Sequence, residues 1–418
     1  MARSVYDSLG AYVTLPRPRP RPRLRLKHCL PALVGLGQLF AVFCALPHPM
    51  LPSGGTSGKA PRSVAGSQVQ ARWSEPPEPF DLKGRYTKRL YVSPGGRDSE
   101  GHGTEHRPFR TIRHALHAAE AGTKITVLPG RYAGIGSVRG LAGTAHRPIS
   151  VAGTGRVVID GRMRDIGLHL SAPHHVVIEG LTFKNTWPHG VSIDDGGVHG
   201  SPARFLVLRN VRFENIGTGG NNDCLKLSGV DDFWVLDSEF AGCNRGEGID
   251  MVGCHKGVIS RNLFRDIPGS AVQTKGGSRR ILIHGNRFTD IGARAINAGG
   301  HTGRAYFRPL TSPFEASKIQ MVANLFERTG DSPVVFAGCS SCVFAHNTVV
   351  YPKRFVVRVT EENLERGPGR NGTFVNNILV LKADAQCRRN VIDFTRLVRP
   401  DSFQFDNNLW VVSCEDYR

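Results

Sequence analysis

Asp223-Cys-Leu-Lys-Leu-Ser-Gly229, Glu247-Gly-Ile-Asp-Met-Val-Gly253, Ser270-Ala-Val-Gln-Thr-Lys-Gly276 and Arg294-Ala-Ile-Asn-Ala-Gly-Gly300 are one short phrase written four times. Their starts lie 24, 23 and 24 residues apart. Between them runs a second phrase closing on an aromatic: Ser238-Glu-Phe240, Asn262-Leu-Phe264, Asn286-Arg-Phe288. A fixed period of this length, built of short apolar alternations ended by Gly, is the mark of a stacked solenoid. One coil of short strands cannot bury its own apolar face, so neighbouring coils must stack to make a core.

The phasing extends beyond this stretch. An apolar position recurs at Phe183, Phe213, Phe240, Phe264, Phe288, Phe326, Val349, Leu379 and Trp410. Two residues earlier stand Asn262, Asn286, Asn324, Asn347, Asn377 and Asn408. We read these asparagines as structural, because their amides can hydrogen-bond along a ladder and Asn tolerates turn geometry. Wider spacings, such as Phe288 to Phe326, mark coils with longer loops.

Within the four copies, Leu225 and Leu227, Ile249 and Met251, Val272 and Thr274, and Ile296 and Ala298 alternate inward. The residues between them point out of the solenoid: Lys226, Asp250, Gln273 and Asn297, with Lys275 one step further. Asp223, Glu247, Ser270 and Arg294 stand at the starts of the copies. Parallel coils stack about 4.8 Å apart, so Asp223, Glu247 and Asp250 converge on one patch bordered by Lys226, Lys275 and Arg294. Three gathered carboxylates need a compensating cation, and oxygen-rich sites of this kind suit Ca²⁺. Such an ion would neutralise the carboxylate of a uronic acid while its C5 proton leaves. A lysine among other cations can lose its proton easily enough to act as base, which makes Lys275 the candidate. Arg294 is the candidate partner for the sugar carboxylate, since its planar fork binds carboxylates bidentately. An insertion from His301 to Ser317 follows directly, and its His301, Arg304, Tyr306 and Arg308 are placed to wall the cleft and grip a sugar chain. Lys226, Gln273 and Asn297 complete the expected substrate contacts. Asp231, Asp232 and Asp266 are read as turn residues, and His189 as incidental.

The chain has 418 residues, 40% of them hydrophobic, enough for one long domain. Residues 1–46 combine a basic segment with an apolar run, Cys29 to Leu46, and read as a signal peptide or membrane anchor. Residues 47–84 are rich in Pro, Ser and Gly and read as a disordered linker. The solenoid domain is expected over 85–418. It opens with an amphipathic capping helix, Pro108 to Gly122, whose Ile112, Ala115, Leu116 and Ala119 share a face. Net charge is +19, of which residues 1–27 carry seven Lys and Arg against one Asp. A basic exported solenoid suits an acidic polysaccharide; no nucleic-acid-binding module is recognisable. A monomer is expected, with membrane contact only through the N-terminal segment. Seven cysteines follow residue 46, and Cys339-Ser-Ser-Cys342 reads as a turn disulfide or buried thiols.

The order of strand, Pro108-Phe-Arg-Thr-Ile112, strand closing in Pro129-Gly-Arg-Tyr132, and coils resembles secreted right-handed parallel β-helix proteins of the pectate-lyase-like group. The outward residues resemble calcium-dependent polysaccharide lyases, nearest to the family-9 pectate lyases. Asn222-Asp223 is similar to their first Asp, Gly246-Glu-Gly-Ile-Asp250 to their Asp cluster, and Lys275-Gly-Gly277 to the region of their base. The chain departs from that pattern at Gly246 and Glu247, and Gln273 lies where the base is expected. Thr274-Lys-Gly-Gly277 also resembles the lysine turn of the family-6 alginate and chondroitin lyases. The resemblance implies an all-β, right-handed parallel β-helix that cleaves a uronate polysaccharide by calcium-assisted β-elimination. A polygalacturonase-like hydrolase, a C5-epimerase and a non-catalytic glycan-binding solenoid are the rival readings.

Overall fold

The computed structural model describes residues 77–413, apart from 101, 364, 366 and 383–390. The segment read as leader or anchor, and residues 47–76 of the linker, lie outside the described residues. Three parallel sheets run the length of the domain, with 15, 10 and 11 strands. The chain visits them in turn, so each coil contributes about one short strand to each sheet.

The second sheet carries the four repeated phrases as β1 (Leu225–Ser228), β2 (Ile249–Val252), β3 (Val272–Lys275) and β4 (Arg294–Gly299). Their pairing is the one expected from the repeat: Lys226 faces Asp250, Asp250 faces Gln273, and Gln273 faces Asn297. The alternating apolar residues are buried beneath them.

The third sheet holds the aromatic column in unbroken register from Phe183 to Trp410. From Phe183 to Phe326 successive rings stack with centroids 4.7 to 5.5 Å apart. Beside it the asparagines form a ladder. Asn262 and Asn286 each donate both their backbone N–H and side-chain amide to the carboxamide oxygen of the next asparagine, at 2.9 and 3.0 Å. The ladder continues through Asn324, Asn347, Asn377 and Asn408. Each amide also donates to a carbonyl of its own or an adjoining coil, so a polar turn is buried with its donors satisfied.

The N-terminal helix is shorter than its pattern suggests. α1 spans Ile112–His117, and Ile112, Ala115 and Leu116 are its buried face. Thr111 caps it by accepting from the His114 N–H at 3.2 Å. The helix stops at Ala118, well before Gly122, because that glycine, at φ +87°, already belongs to the turn into the Thr123–Val127 strand. It packs against the strands Lys88–Val92, Thr123–Val127 and Ser137–Arg139 at the first coils, where a solenoid otherwise exposes its end.

The end of the expected linker is also ordered against the domain. Phe80–Lys83 forms a 3₁₀ turn; Pro77 O accepts from the Trp234 indole at 2.7 Å, and Asp81 accepts from Arg209 at 2.9 Å. Phe80 lies on the outer face of the first sheet beside Phe205 and Trp234. Of the cysteines, Cys224 and Cys243 are joined, and Cys254, Cys339 and Cys342 are buried thiols. Among the described residues no helix is long and apolar enough to cross a membrane.

The two ladders carry the fold, which sets a stability prediction. Phe264→Ala should cost about 3–5 kcal/mol and Asn286→Ala roughly 1–3 kcal/mol through its orphaned backbone partners, both read by urea unfolding. Losses near zero at both positions would contradict the ladder.

Candidate active site

The outer face of the second sheet gathers six chemically active side chains from four successive coils. Asp223 precedes β1 and Lys226 lies in it; Glu247 precedes β2 and Asp250 lies in it; Lys275 ends β3. Asp223, Glu247 and Asp250 each offer a carboxylate oxygen within 4.8 Å of the others. The sixth contributor comes from the coil before the first copy. His189 stands opposite Asp223 because Val191 pairs with Leu225, and its Nδ1 accepts the Asp223 backbone N–H at 3.0 Å.

Asp223 and Asp250 are fully buried although they point out of the core. Lys226 lies between them: its ammonium donates to Asp250 and is 3.4 Å from Asp223 Oδ2. Lys275 Nζ is 3.2 Å from Asp250 Oδ1. The Glu247 backbone N–H donates to Asp223 Oδ1 at 3.0 Å. Neither Asp223 Oδ2 nor Asp250 Oδ1 accepts a hydrogen bond. Asp223 Oδ2 thus faces the Lys226 ammonium and, at 3.7 Å, the His189 ring, and Asp250 Oδ1 faces the Lys275 ammonium.

These contacts separate the protonation behaviour of the carboxyls. Burial, a hydrogen bond to Asp223 and the charges of Asp223 and Asp250 push Glu247 up to about 8. Burial also works against ionisation of Asp223, but Lys226 and the hydrogen bonds from Glu247 outweigh it and hold that carboxyl low. Burial weakens the Lys226 charge, yet Asp250 and Asp223 more than restore it and raise the group above its usual range. Burial keeps His189 neutral beyond its usual range, with Asp223 opposing. Near neutrality the patch therefore holds a protonated Glu247 against an ionised Asp223. Environments that drive two carboxyls apart are how acid and base roles are assigned within one site.

The other expected residues fall around this centre. Gln273 and Asn297 continue the outward column, almost covered. Arg294 is engaged away from the cluster, by Glu362, by Asp331 at 3.7 Å and by Asn297 Oδ1 at 3.3 Å. His301, Arg304 and Tyr306 are exposed on the insertion. Arg308 does not wall the cleft: it is largely buried, bonds the Gly253 carbonyl at 2.7 Å and pairs with Asp231. Asp231 is therefore a strand residue anchoring the insertion; Asp232 and Asp266, expected in turns, also lie within strands, at positions of positive φ. The insertion's ends are tied by Glu315, fully buried, which accepts from Gly276 N at 2.8 Å, Thr302 N and Oγ1 at 2.7 Å, and Asn363. Gly246 has a steric reason: a Cβ there would lie 1.9 Å from the Asn222 carbonyl oxygen, so no carboxylate can stand at that position.

Sequence reasoning underrated His189. Trp187-Pro-His-Gly-Val-Ser-Ile-Asp194 has the same inward alternation as the four copies, with Val191 and Ile193 buried, but its 34-residue offset from Asp223 hides it. Nothing in the sequence marks Glu315.

Residues 166–380, more than half of the chain, match the family described as "Right handed beta helix region". Residues 95–136 match a family described as "Protein of unknown function". The uncharacterized protein YwoF of Bacillus subtilis (strain 168) is 25% identical along an alignment of length 215 that covers 41% of this chain and 45% of that protein, so the match spans less than half of the relative. A solved glycoside hydrolase shares the fold at a TM-score of 0.52 and 12% identity, over 77% of this chain and 96% of that one. An alginate lyase from Paenibacillus sp. str. FPU-7 aligns at a TM-score of 0.46 and 16% identity, over 78% of this chain and all of that one.

The raised Glu247 carboxyl predicts a pH dependence of stability. The folded chain holds this proton more tightly than the unfolded one, so the stabilisation is complete below the ordinary glutamate range and is lost as pH rises through about 8. Between about pH 5 and about pH 8 the melting temperature should fall, and Glu247→Gln should flatten that fall. Scanning calorimetry decides it; equal slopes in both proteins would contradict the assignment.

Proposed function

The chain belongs to the right-handed β-helix family, and from that premise we propose that it is an exported enzyme that cleaves a uronate-containing polysaccharide by β-elimination. The observation that carries this reading is the juxtaposition of a protonated Glu247 with two lysines and two buried aspartates on one coil face. Elimination requires a base for the C5 proton, an acid for the departing oxygen and positive charge facing the sugar carboxylate. Lys275 takes the C5 proton, and Glu247 delivers its own to the glycosidic oxygen. Lys226, shared by Asp223 and Asp250, holds their charge in place. Arg304, Tyr306 and His301 meet the sugar chain from the insertion, Gln273 and Asn297 line the column beneath, and Arg294 borders it. Export is supported by the basic and apolar N-terminal pattern and by the Cys224–Cys243 disulfide.

Asp223, Glu247 and Asp250 are also suited to hold Ca²⁺, because two of their buried oxygens lack hydrogen-bond donors. The ion would supply positive charge toward the substrate carboxylate. Its binding would remove the Glu247 proton, so that with the ion bound the departing oxygen would take its proton from water instead; affinity should rise with pH up to about 8 and binding should release protons.

A second reading, hydrolysis with Glu247 as acid, is favoured by the opposed shifts of Glu247 and Asp223. The products separate the two. With calcium present, pectate, alginate, chondroitin or heparin-like chains should yield an unsaturated product absorbing in the ultraviolet. Lys275→Ala should slow its release by roughly 100-fold or more, and Lys256→Ala should not. Reducing ends without that absorbance would replace elimination by hydrolysis, and glycan binding without cleavage would overturn both.

A further inference from the structure

Two coils before the acidic patch, on the same outer face, a second constellation is assembled. Ser137 Oγ–H donates to His169 Nδ1 at 2.9 Å, and His169 Nε2–H donates to Asp194 Oδ2 at 2.6 Å. We propose that Ser137, His169 and Asp194 form a nucleophilic acyl-transfer site that hydrolyses small esters on sugar hydroxyls.

Register produces the arrangement. Ser137 pairs with His169 across Ser137–Arg139 and Leu168–Ser171, and Asp194 ends the next strand, Val191–Asp194, opposite Ser171. An ionised aspartate only accepts hydrogen bonds, so it fixes the proton on Nε2 and leaves the Nδ1 lone pair toward the serine. The aspartate is itself held: its Oδ1 accepts the Gly196 N–H at 2.8 Å. Burial disfavours its charge, but the hydrogen bonds from His169, Gly196 and Ser171 prevail and keep its carboxyl below the usual range. Nucleophile, base and orienting carboxylate are thus in hydrogen-bond sequence, the relation that defines such a triad irrespective of chain order or of which ring nitrogen faces the serine.

The surroundings select the substrate. Ser137–Arg139 is the terminal strand of the second sheet and pairs on one side only. The His169 N–H donates to the Gly136 carbonyl at 2.9 Å, which makes His169 the bonded member of the pair and turns the Ser137 N–H away from the next coil. That N–H is aimed to receive an oxyanion formed at its own side chain. Arg139, two residues on and on the same face, donates to the Gly196 carbonyl at 3.3 Å, which sets a cation on the loop that holds Asp194. Ser137 is exposed on this edge, which suits a small acyl group on a long chain lying across the coils. Arg139 suits a chain bearing carboxylates. His169 pairs with Ser192, which pairs with Lys226, so this site lies roughly 10 Å from the acidic patch along the same face. Only the identification of the natural substrate as an acylated polysaccharide rests on the proposed function above.

In the reaction Ser137 Oγ bonds to the ester carbonyl carbon while His169 accepts the hydroxyl proton. The bond from that carbon to the sugar oxygen breaks, and His169 returns the proton to the sugar. Water then attacks the acyl-serine, His169 again relays the proton, and a free carboxylic acid leaves. Water is the only co-reactant.

The test uses the full chain with p-nitrophenyl acetate and a fluorophosphonate probe, the labelled residue being mapped by peptide mass spectrometry. The probe should label Ser137. Ser137→Ala and His169→Ala should each lower hydrolysis by roughly 100-fold or more. Asp194→Asn, which removes a positioning residue, should lower kcat with KM little changed. Lys256→Ala, outside both sites, should leave ester hydrolysis intact, and the nitrophenyl ester, which carries no uronate, reads this site apart from the lyase reading. Circular dichroism of Ser137→Ala checks that the exposed substitution leaves the coils folded. Hydrolysis by Ser137→Ala within about twofold of the parent, or absence of label at Ser137, would overturn the proposal. Cleavage of the nitrophenyl ester without release of acetate from acetylated alginate or pectin would keep the triad and overturn its polysaccharide substrate.

Discussion

Each coil is held at one fixed height above the last by parallel pairing reinforced with stacked phenylalanines and an asparagine ladder. That spacing, about 4.8 Å, is the constraint from which the chemistry follows. Residues 23 or 24 apart in sequence become neighbours, and whatever points outward from one coil must face what points outward from the next. Lys226, Asp250, Gln273 and Asn297 meet for this reason alone. The ladders lie in and beside the third sheet, away from the site, so rigidity and reactivity are carried by different faces of one coil.

Bringing carboxyls together on such a scaffold carries an electrostatic cost that the site meets in two ways. Lys226 lies between Asp223 and Asp250 with its charge strengthened by both, and Glu247 keeps its proton. The patch is thereby near balance without any added ion, yet it retains two carboxylate oxygens that accept no hydrogen bond. A group that holds a proton up to about pH 8 beside one that has long lost it is a poised pair rather than a passive ion-pair network. The insertion that borders it is fastened through Arg308 to Asp231 and through Glu315 to Gly276, so the exposed Arg304 and Tyr306 are presented from a tethered loop.

The solenoid and the convergence of Asp223, Glu247 and Asp250 were legible because a nearly constant period converts sequence offset directly into spatial adjacency. Legibility failed where the period was broken or where a partner came from outside it. His189 enters the site across a 34-residue coil, so its place in the column was not visible. Arg294 fits the column by spacing, but Glu362 and Asp331, from later coils, draw its guanidinium aside. Asp231 looked like a turn because its partner Arg308 lies 77 residues away. The capping helix is shorter than its apolar pattern, since the turn at Gly122 must begin before the pattern ends. Residues 77–84 have linker composition, yet Phe80 and Asp81 find partners on the first sheet that composition cannot reveal.

The central claim is that burial on the coil face, reinforced by the hydrogen bond to Asp223 and by its charge, keeps Glu247 protonated at neutral pH. Carbon-13 NMR titration of the Glu247 carboxyl tests this directly. The account predicts titration near 8 in the intact protein and a clear downward shift in Asp223→Asn, where the neighbouring charge is gone. Titration of Glu247 in the ordinary glutamate range, unchanged by Asp223→Asn, would contradict it.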